Sequence, residues 1–173
     1  MRNIILETER LLLRPLTTDD AQAVFEWAGD PIVARYMLYS KHKSIDETLQ
    51  WLESLKNSPK DSFNWGFVRK SDGKLIGSGG VRYVDEEKAW MVGYNIRHDC
   101  WNMGYTTEAA KRFIKYAYEE LDAHDFISDH AVDNPASGKV MEKCGLKFFR
   151  YGEYEKFDGS ETFTAKYYKL HID

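Results

Sequence analysis

The sequence predicts a single α+β domain over residues 1–173, in which helices pack on a central mixed, mostly antiparallel sheet. Three observations support this prediction. The length suits one domain with a substantial core. Hydrophobic residues make up 43% and charged residues 30%, as in ordinary globular proteins. Segments with strand and helix character follow one another in the order β-α-α-α-β-β-β-α-β-α-β-β, without repeats or linkers.

The first third of the chain is predicted to be mainly helical. A strand is expected over 10–16. Residues 17–20 then offer caps for a helix that ends at Ala28, because Thr and Asp side chains accept hydrogen bonds from free amides at a helix start. A second helix is predicted over 31–39, and a third from Ser44, where leucines recur at helical spacing.

The remaining two thirds alternate strands with two helices. Three strands at 63–69, 74–83 and 89–96 form an antiparallel meander, with a turn at 71–73. The elements that follow are a helix at 106–121, a strand at 126–132, a helix at 135–143, and a hairpin of strands at 146–154 and 161–170.

Composition argues against several classes of function. The 24 basic and 28 acidic residues give a net charge of −4 without a basic stripe, so we expect no direct nucleic-acid partner. No apolar run approaches the ~18 residues of a membrane span, and no signal peptide is visible. Cys100 and Cys144 lack metal-ligand spacing and suit a reducing, cytoplasmic compartment, and the histidines indicate no metal site either.

The strongest functional signal lies at 93–108, with the sequence GYNIRHDCWNMGYTTE. It predicts the end of a strand, a loop whose glycine is Gly104, and the start of a helix. Gly104 would let the backbone come close to a ligand, and amides at the helix start would bind an anion, most often a phosphate. An ordinary strand-to-helix loop would also explain these residues.

A second helix start, at 134–137, has the sequence NPAS. Asn134 as a cap and Pro135 at the first position explain it as a plain helix start. A right-handed strand-helix-strand-helix succession, however, places both helix starts at the same edge of the sheet. Together they suit an elongated, phosphate-bearing ligand. The glycines at 77–80 lead into a strand, so we expect close strand packing or a bulge there instead of a nucleotide loop.

These motifs together resemble the GCN5-related N-acetyltransferases (GNAT), and more narrowly their RimJ/RimL branch, from about residue 7 to residue 170. The segments that carry the resemblance are ETERLLLRP at 7–15, GYNI at 93–96, WNMGYTTEA at 101–109, Asn134, Ser137 and VMEKCGL at 140–146. The resemblance implies an enzyme that moves an acetyl group from acetyl-CoA to a primary amine, by direct transfer in a ternary complex and without a metal.

The resemblance also implies roles for individual residues. The backbone of one loop would hold the pyrophosphate of acetyl-CoA, namely Trp101, Asn102, Met103, Gly104, Tyr105, Thr106 and Thr107. Tyr94 and Ile96 would pair by main chain with the pantetheine arm, and Asn134 would meet that arm from the other side. The Ile96 amide could stabilise the reaction's oxyanion. Ser137 would protonate the leaving thiolate.

Two positions depart from the family pattern. Trp101 stands where relatives usually carry Gln or Arg, although the contacts there are largely backbone. Met91 stands where many relatives carry the carboxylate that serves as base. The candidates for that base are then Glu153 and Glu155 on the last hairpin, or a chain of water molecules.

Alternatives from other classes stay open at this point. A non-catalytic acyl-CoA sensor would use the same crevice without a base, as Met91 suggests, and a purely structural protein would not bind CoA. The acceptor could be a protein N-terminus, a polyamine or an aminoglycoside-like drug, since specificity is expected to lie at 30–60 and in the last hairpin. The chain could be a monomer or a homodimer.

Overall fold

One eight-stranded sheet organises the computed structural model, which describes residues 3–173. The strands are β1 (Leu6–Glu7), β2 (Leu11–Arg14), β3 (Ser62–Arg69), β4 (Leu75–Val84), β5 (Ala89–Ile96), β6 (Asp125–Ala131), β7 (Lys147–Glu155) and β8 (Thr162–His171). Their order in the sheet is β1-β2-β3-β4-β5-β6-β8-β7. Neighbours pair antiparallel except β5 and β6, which are parallel. The predicted mixed, mostly antiparallel sheet is confirmed.

Helices cover both faces of this sheet. They are α1 (Ala21–Ala28), α2 (Pro31–Ala34), α3 (Ile45–Ser54), α4 (Tyr105–Leu121) and α5 (Pro135–Lys143), with single 3-10 turns at Thr18–Asp20, Leu55–Asn57 and His98–Cys100. Helices α4 and α5 pack on one face, and α1 and α3 on the other. Within residues 3–173, no helix is long and apolar enough to cross a bilayer.

The larger part of the core lies between the sheet and α4. Ala109, Phe113 and Ala117 are buried along one stripe of α4, as the sequence predicted. Phe113 stacks on Trp65 of β3 with ring centroids 5.2 Å apart. Burying each such aromatic side chain contributes about 1.5–3 kcal/mol, so this packing holds α4 rigidly against the central strands.

The glycines of β4 pack tightly against the neighbouring strands. A Cβ on Gly80 would lie 1.8 Å from the Phe63 carbonyl oxygen, and one on Gly79 would lie 2.5 Å from that of Gly93. A side chain at either position would therefore separate the strands. The predicted close strand packing is confirmed, with a register shift between Phe67 and Val68 beside it.

The main departure from the predicted elements is at 31–39. Only Pro31–Ala34 is helical, and the segment beyond it is irregular. The Lys156 ammonium, beyond the end of β7, donates hydrogen bonds to the carbonyls of Ala34, Met37 and Tyr39. These long-range bonds take the place of a continued helix. The two-residue strand β1 was also missed, and the predicted helix start at 17–20 is a 3-10 turn.

Candidate active site

The site begins where the two parallel strands β5 and β6 part. Their pairing ends at Met91 and Ile127. One residue further, the Ser128 hydroxyl on β6 donates to the Val92 carbonyl of β5 at 2.8 Å. Beyond that bond β5 continues to Ile96 paired only with β4, so its edge towards β6 is open.

The orientation of the β5 backbone decides which groups line this open edge. The Arg97 amide donates to Ile76 of β4, while the Val92 carbonyl faces β6. Because successive residues of a strand point their amide and carbonyl groups to alternate sides, Tyr94 and Ile96 present theirs to the gap. The Ile96 carbonyl accepts from the Trp101 indole at 3.0 Å. This leaves the Ile96 amide and the Tyr94 backbone groups facing the gap.

A cavity of about 280 Å³ occupies the gap and is lined by residues from both faces of the sheet. On the α4 and α5 face it is lined by Asn134, Ser137 and Met141. On the opposite face its lining includes the segment 36–39, Arg82, Asp129, Tyr154 and Phe157. At the point of parting, a Cβ added to Gly93 would meet no atom within 4 Å. The gap therefore joins the surfaces on the two faces of the sheet.

The loop into α4 has the geometry of an anion-binding helix start. Gly104 is its N-cap, with φ of 81°, and Asn102 also has a positive φ of 60°. The Glu108 amide is bonded to the Gly104 carbonyl, so Tyr105, Thr106 and Thr107 have amides without partners inside the helix. The sequence prediction that Gly104 allows the turn is confirmed.

Arg10 and Glu108 hold this loop against the start of β2. The Arg10 guanidinium donates to Glu108 at 2.7 Å and to the Met103 carbonyl at 2.9 Å, and it lies over the Tyr105 ring. Burial raises the pKa of the Glu108 carboxyl, but hydrogen bonds from Thr8 and Arg10 outweigh it, and the net pKa is lowered. Both residues belong to motifs that carry the family resemblance, but the sequence predicted no role for either. They are 98 positions apart, so their contact could not be predicted from the local sequence.

At the α5 end of the cavity, Ser137 and Tyr94 form a hydroxyl pair. The Tyr94 hydroxyl donates to the Ser137 carbonyl at 3.0 Å and accepts from the Ser137 hydroxyl at 3.3 Å. Burial raises the pKa of Tyr94 well above its usual value, so this hydroxyl stays protonated. Asn134 is the N-cap of α5, as predicted, but its side chain makes no capping hydrogen bond.

On the other face, Asp129 is the carboxylate that lines the cavity. Burial raises its pKa to about 6, although Arg82 and Arg150 lower it in part. Its strand neighbours Ser128 and His130 point to the opposite side, since His130 packs against Gly138 of α5. No role was predicted for Asp129. Strand β6, with the sequence DFISDHA, does not alternate apolar and polar residues, so no local pattern marks this position.

Glu153 and Glu155 are not brought into the cavity. Both are exposed on β7, and the residue between them, Tyr154, lines the cavity instead. Because side chains alternate along a strand, the two glutamates point to the opposite face of the sheet from Tyr154. Ser137 and the two glutamates, all proposed as catalytic, therefore lie in different places.

The last hairpin holds the segment at 35–40 over the cavity. Besides the three bonds from Lys156, the Tyr154 hydroxyl donates to the Tyr36 carbonyl at 2.7 Å, and the Phe157 amide to the Leu38 carbonyl at 2.8 Å. Lys156 is only 8% exposed. The outer wall of the cavity is thus a coil segment whose shape depends on the hairpin.

The part of the chain from residue 3 onward contains no cluster of His, Cys, Asp or Glu placed to hold a metal ion. Both cysteines are free thiols, Cys100 buried and Cys144 half-buried. Burial raises the pKa of Cys144 to about 11, so neither its protonation state nor its position marks it as a nucleophile.

Comparison with known proteins agrees with this geometry. Residues 10–147 match the family model of the acetyltransferase (GNAT) domain. YoaA, an uncharacterized N-acetyltransferase of Bacillus subtilis (strain 168), is 27% identical over 146 residues, which are 83% of this chain and 82% of that protein. FsC-acetyl coenzyme A-N(2)-transacetylase of Aspergillus fumigatus is 28% identical over 152 residues, which are 82% of this chain and 64% of that protein.

A solved structure shares the fold. The crystal structure of an acetyltransferase (GNAT family) from Bacillus anthracis superimposes with a TM-score of 0.83 at 24% identity, over 97% of this chain and 98% of that one. The family model covers most of the present chain, including the loop at Gly104 and the start of α5. The chain therefore belongs to the GNAT family and is an acetyltransferase.

Proposed function

We propose that residues 1–173 form a single N-acetyltransferase domain that moves an acetyl group from acetyl-CoA to a primary amine by direct transfer in a ternary complex. The observation that carries this proposal is the cavity through the sheet, lined by Ser137 on one face and Asp129 on the other. A donor on the α5 side and an amine on the opposite side would meet in the gap between β5 and β6.

The residues of the α4 side fit acetyl-CoA, which supplies the acetyl thioester. The pyrophosphate would be held by the backbone of the loop at 101–107, where Gly104 brings the chain close without a Cβ. The open edge at Tyr94 and Ile96 would pair with the amide groups of the pantetheine arm, and Asn134 would face that arm from α5. Trp101 does not interrupt this surface, because its indole is bonded to the end of β5.

The reaction needs groups that act on developing charge. The Ile96 amide would donate to the carbonyl oxygen of the acetyl group as negative charge grows there, and a single donor of this kind typically contributes about 10²–10³-fold in rate. Ser137 would give its proton to the departing sulfur. Its hydroxyl is held by Tyr94, so its position is fixed before the reaction.

The residues on the acceptor side support an amine as the acceptor, but they do not identify which amine. A half-buried carboxylate among aromatic side chains suits a cationic ligand. The RimJ/RimL resemblance favours a protein N-terminus as acceptor. The name of the Aspergillus fumigatus relative gives an N(2) transfer for that protein. Two free cysteines support a reducing, cytoplasmic location. The domain would act as a monomer or a homodimer.

A thiol-release assay with acetyl-CoA at pH 8 tests the proposal. The panel would contain spermidine, an aminoglycoside, and short peptide amides that begin with Ser, Ala or Met. We expect one class to release thiol faster than the blank, with the acetylated amine found by mass spectrometry. CoA binding without turnover of any member would favour the non-catalytic sensor. The absence of both binding and turnover would overturn the proposal.

A further inference from the structure

The Asp129 carboxylate lies where β5 and β6 part, and the fold from residue 3 onward provides no partner for it. It follows the end of the β5–β6 pairing, and the residue that would face it if the pairing continued is Gly93. The β8 side of β6 is fully paired there, with Asp129 opposite Tyr167. The Asp129 side chain lines the cavity, and Gly93 beside it has no side chain to fill that space.

The Asp129 carboxylate has charged neighbours but no direct partner. Among residues 3–173 it takes part in no hydrogen bond or ion pair, and its interactions with Arg82, Arg150 and Glu87 are through space. Arg150 is ion-paired with Glu87 and lies over the Tyr167 ring, 3.9 Å from its centroid. Asp129 is half-buried, and removing a carboxylate from water without a partner is costly, so such a group points to a ligand that supplies one.

We infer that Asp129 binds the ammonium group of the acceptor and takes its proton. The inference rests on the proposed function. It names the residue that performs a step for which the sequence offered only Glu153, Glu155 or water.

The Tyr39 hydroxyl in the cavity also lacks a partner among the described residues, but burial raises its pKa well above its usual value, so it stays protonated and cannot take a proton. The remaining groups are engaged. The His130 ring nitrogens face the Ala131 carbonyl and the Tyr168 hydroxyl, at 2.7 and 3.4 Å. The Tyr154 hydroxyl is bonded to Tyr36, and Tyr94 is bonded to Ser137. Glu153 and Glu155 point to the other face. Asp129 remains as the free acceptor of a proton.

The protonation state of Asp129 suits the step. A pKa of about 6 leaves the carboxylate ionised at pH 8 and keeps it basic enough to take a proton from an amine. The titratable and charged groups that act on it come from every element around it, namely Arg82, Glu87, Tyr94, Arg150, Tyr154 and Tyr167.

The step balances as follows. The bound ammonium gives one proton to Asp129 and becomes a neutral amine. Its nitrogen forms the new bond to the acetyl carbon, and the carbon–sulfur bond breaks with its electron pair on sulfur. The second nitrogen proton passes to solvent as the amide forms. The sulfur receives a proton from Ser137, which takes one back from solvent. Asp129 then releases its proton to solvent.

The test compares Asp129→Asn with wild type, using the panel amine that wild type acetylates fastest. For wild type we expect kcat to rise with pH and to level off above about pH 6. Asp129→Asn should lose about 10²–10⁴-fold in kcat, and its remaining rate should keep rising with pH as free amine accumulates. Acetyl-CoA affinity by calorimetry should not change, because Asp129 lies on the opposite face.

The controls separate chemistry from folding. Asp125→Asn changes an exposed aspartate on the same strand and should keep the wild-type pH profile. Asp129→Glu should recover part of the rate. A carbon NMR titration of the Asp129 carboxyl, without acceptor, should show a midpoint near pH 6.

Three results would overturn the inference. The first is a kcat of Asp129→Asn within threefold of wild type. The second is that kcat of this variant still levels off above about pH 6, and the third is that Glu153→Gln or Glu155→Gln abolishes this levelling-off while Asp129→Asn retains it. Absence of turnover by wild type would instead overturn the proposed function, and this inference with it.

Discussion

The two sides of the cavity are built from different material. The donor side, where we propose that acetyl-CoA binds, consists of backbone groups from the end of β5, the loop at 101–107 and the start of α5. The acceptor side, where we propose that the amine binds, consists of side chains from distant parts of the chain, such as Tyr36, Arg82, Asp129 and Tyr154. The donor side is anchored on a packed helix, whereas the outer wall of the acceptor side is a coil held by a hairpin.

Under the proposed function, this difference separates two tasks, the binding of acetyl-CoA and the binding of the acceptor. A backbone surface on rigid elements can bind one constant ligand, since it depends on geometry and little on side-chain identity. A side-chain surface on a held coil can change its ligand by substitution without disturbing the sheet. Substitutions on one side should therefore leave the other side intact, and the following predictions test that separation.

The largest effect is expected for Lys156→Met. The ammonium bonds three carbonyls, and its loss leaves them without partners in a nearly buried place. We expect a loss of about 3 kcal/mol in the free energy of unfolding and a higher KM for the amine, with unchanged acetyl-CoA affinity. Denaturant unfolding and calorimetry measure both. Lys147→Met, exposed on β7, is the matched control, and a parallel fall in acetyl-CoA affinity would show that the sides are coupled.

The donor side is tested by Gly104→Val. At φ of 81° a β-branched residue is strained, and its Cβ would lie 3.2 Å from the Arg10 guanidinium that holds the loop. We expect the displaced loop to lose the amide geometry that the pyrophosphate needs. A loss of ~2 kcal/mol in binding corresponds to roughly thirty-fold weaker acetyl-CoA affinity. Gly73→Val carries similar strain at φ of 69°, with open space around it. It should lose stability but keep its affinity. If the two folded variants bind acetyl-CoA with equal affinity, the loop at 101–107 is not part of the binding site.

Asp129→Asn should stabilise the protein at pH 8. Its pKa rises from 3.8 to about 6 on folding, so the folded protein binds this proton more tightly than the unfolded chain does. As the pH rises from about 4 to 6, wild type therefore loses free energy of unfolding, and the variant does not. We expect a gain of about 1.5 kcal/mol at pH 8, below the limit of about 3 kcal/mol set by the shift. Near pH 4 the two should melt alike, and destabilisation at pH 8 would assign Asp129 a structural role.

The smallest effect is expected for Ser137→Ala. A serine is a modest acid, and water can also protonate the thiolate, so kcat should fall by about tenfold or less, with unchanged acetyl-CoA affinity. Helix α5 should persist because alanine is a good helix former. The comparison requires conditions in which the chemical step limits the rate. Equal kcat values would leave Ser137 as a helix-start residue that orients Tyr94.

The elements fixed by local pattern were predicted to the residue. Strand β5 and helix α5 have the predicted bounds, and α4 begins one residue earlier than expected. Apolar periodicity and the residues at helix ends carry this information locally. The donor side shares this property, because Gly104 and the loop around it are contiguous in the sequence.

The features that were missed depend on long-range contacts. The helix predicted at 31–39 stops after one turn because Lys156, more than a hundred residues later, bonds its carbonyls. In the sequence, Asp129 is indistinguishable from any other polar residue on a strand. Its partial burial depends on residues from distant parts of the chain. Glu153 and Glu155 were chosen as carboxylates on the last hairpin. Applying strand alternation around Tyr154 would have placed them on the opposite face of the sheet.

The central claim is direct transfer across the gap between β5 and β6, with donor and acceptor bound together. Initial velocities measured against the amine, at several fixed concentrations of acetyl-CoA, test it most directly. We predict double-reciprocal lines that intersect, and no acetylated enzyme after incubation with acetyl-CoA alone. Parallel lines, together with an acetyl group on Cys144 or another side chain, would show that the two substrates never share the cavity and would contradict the account.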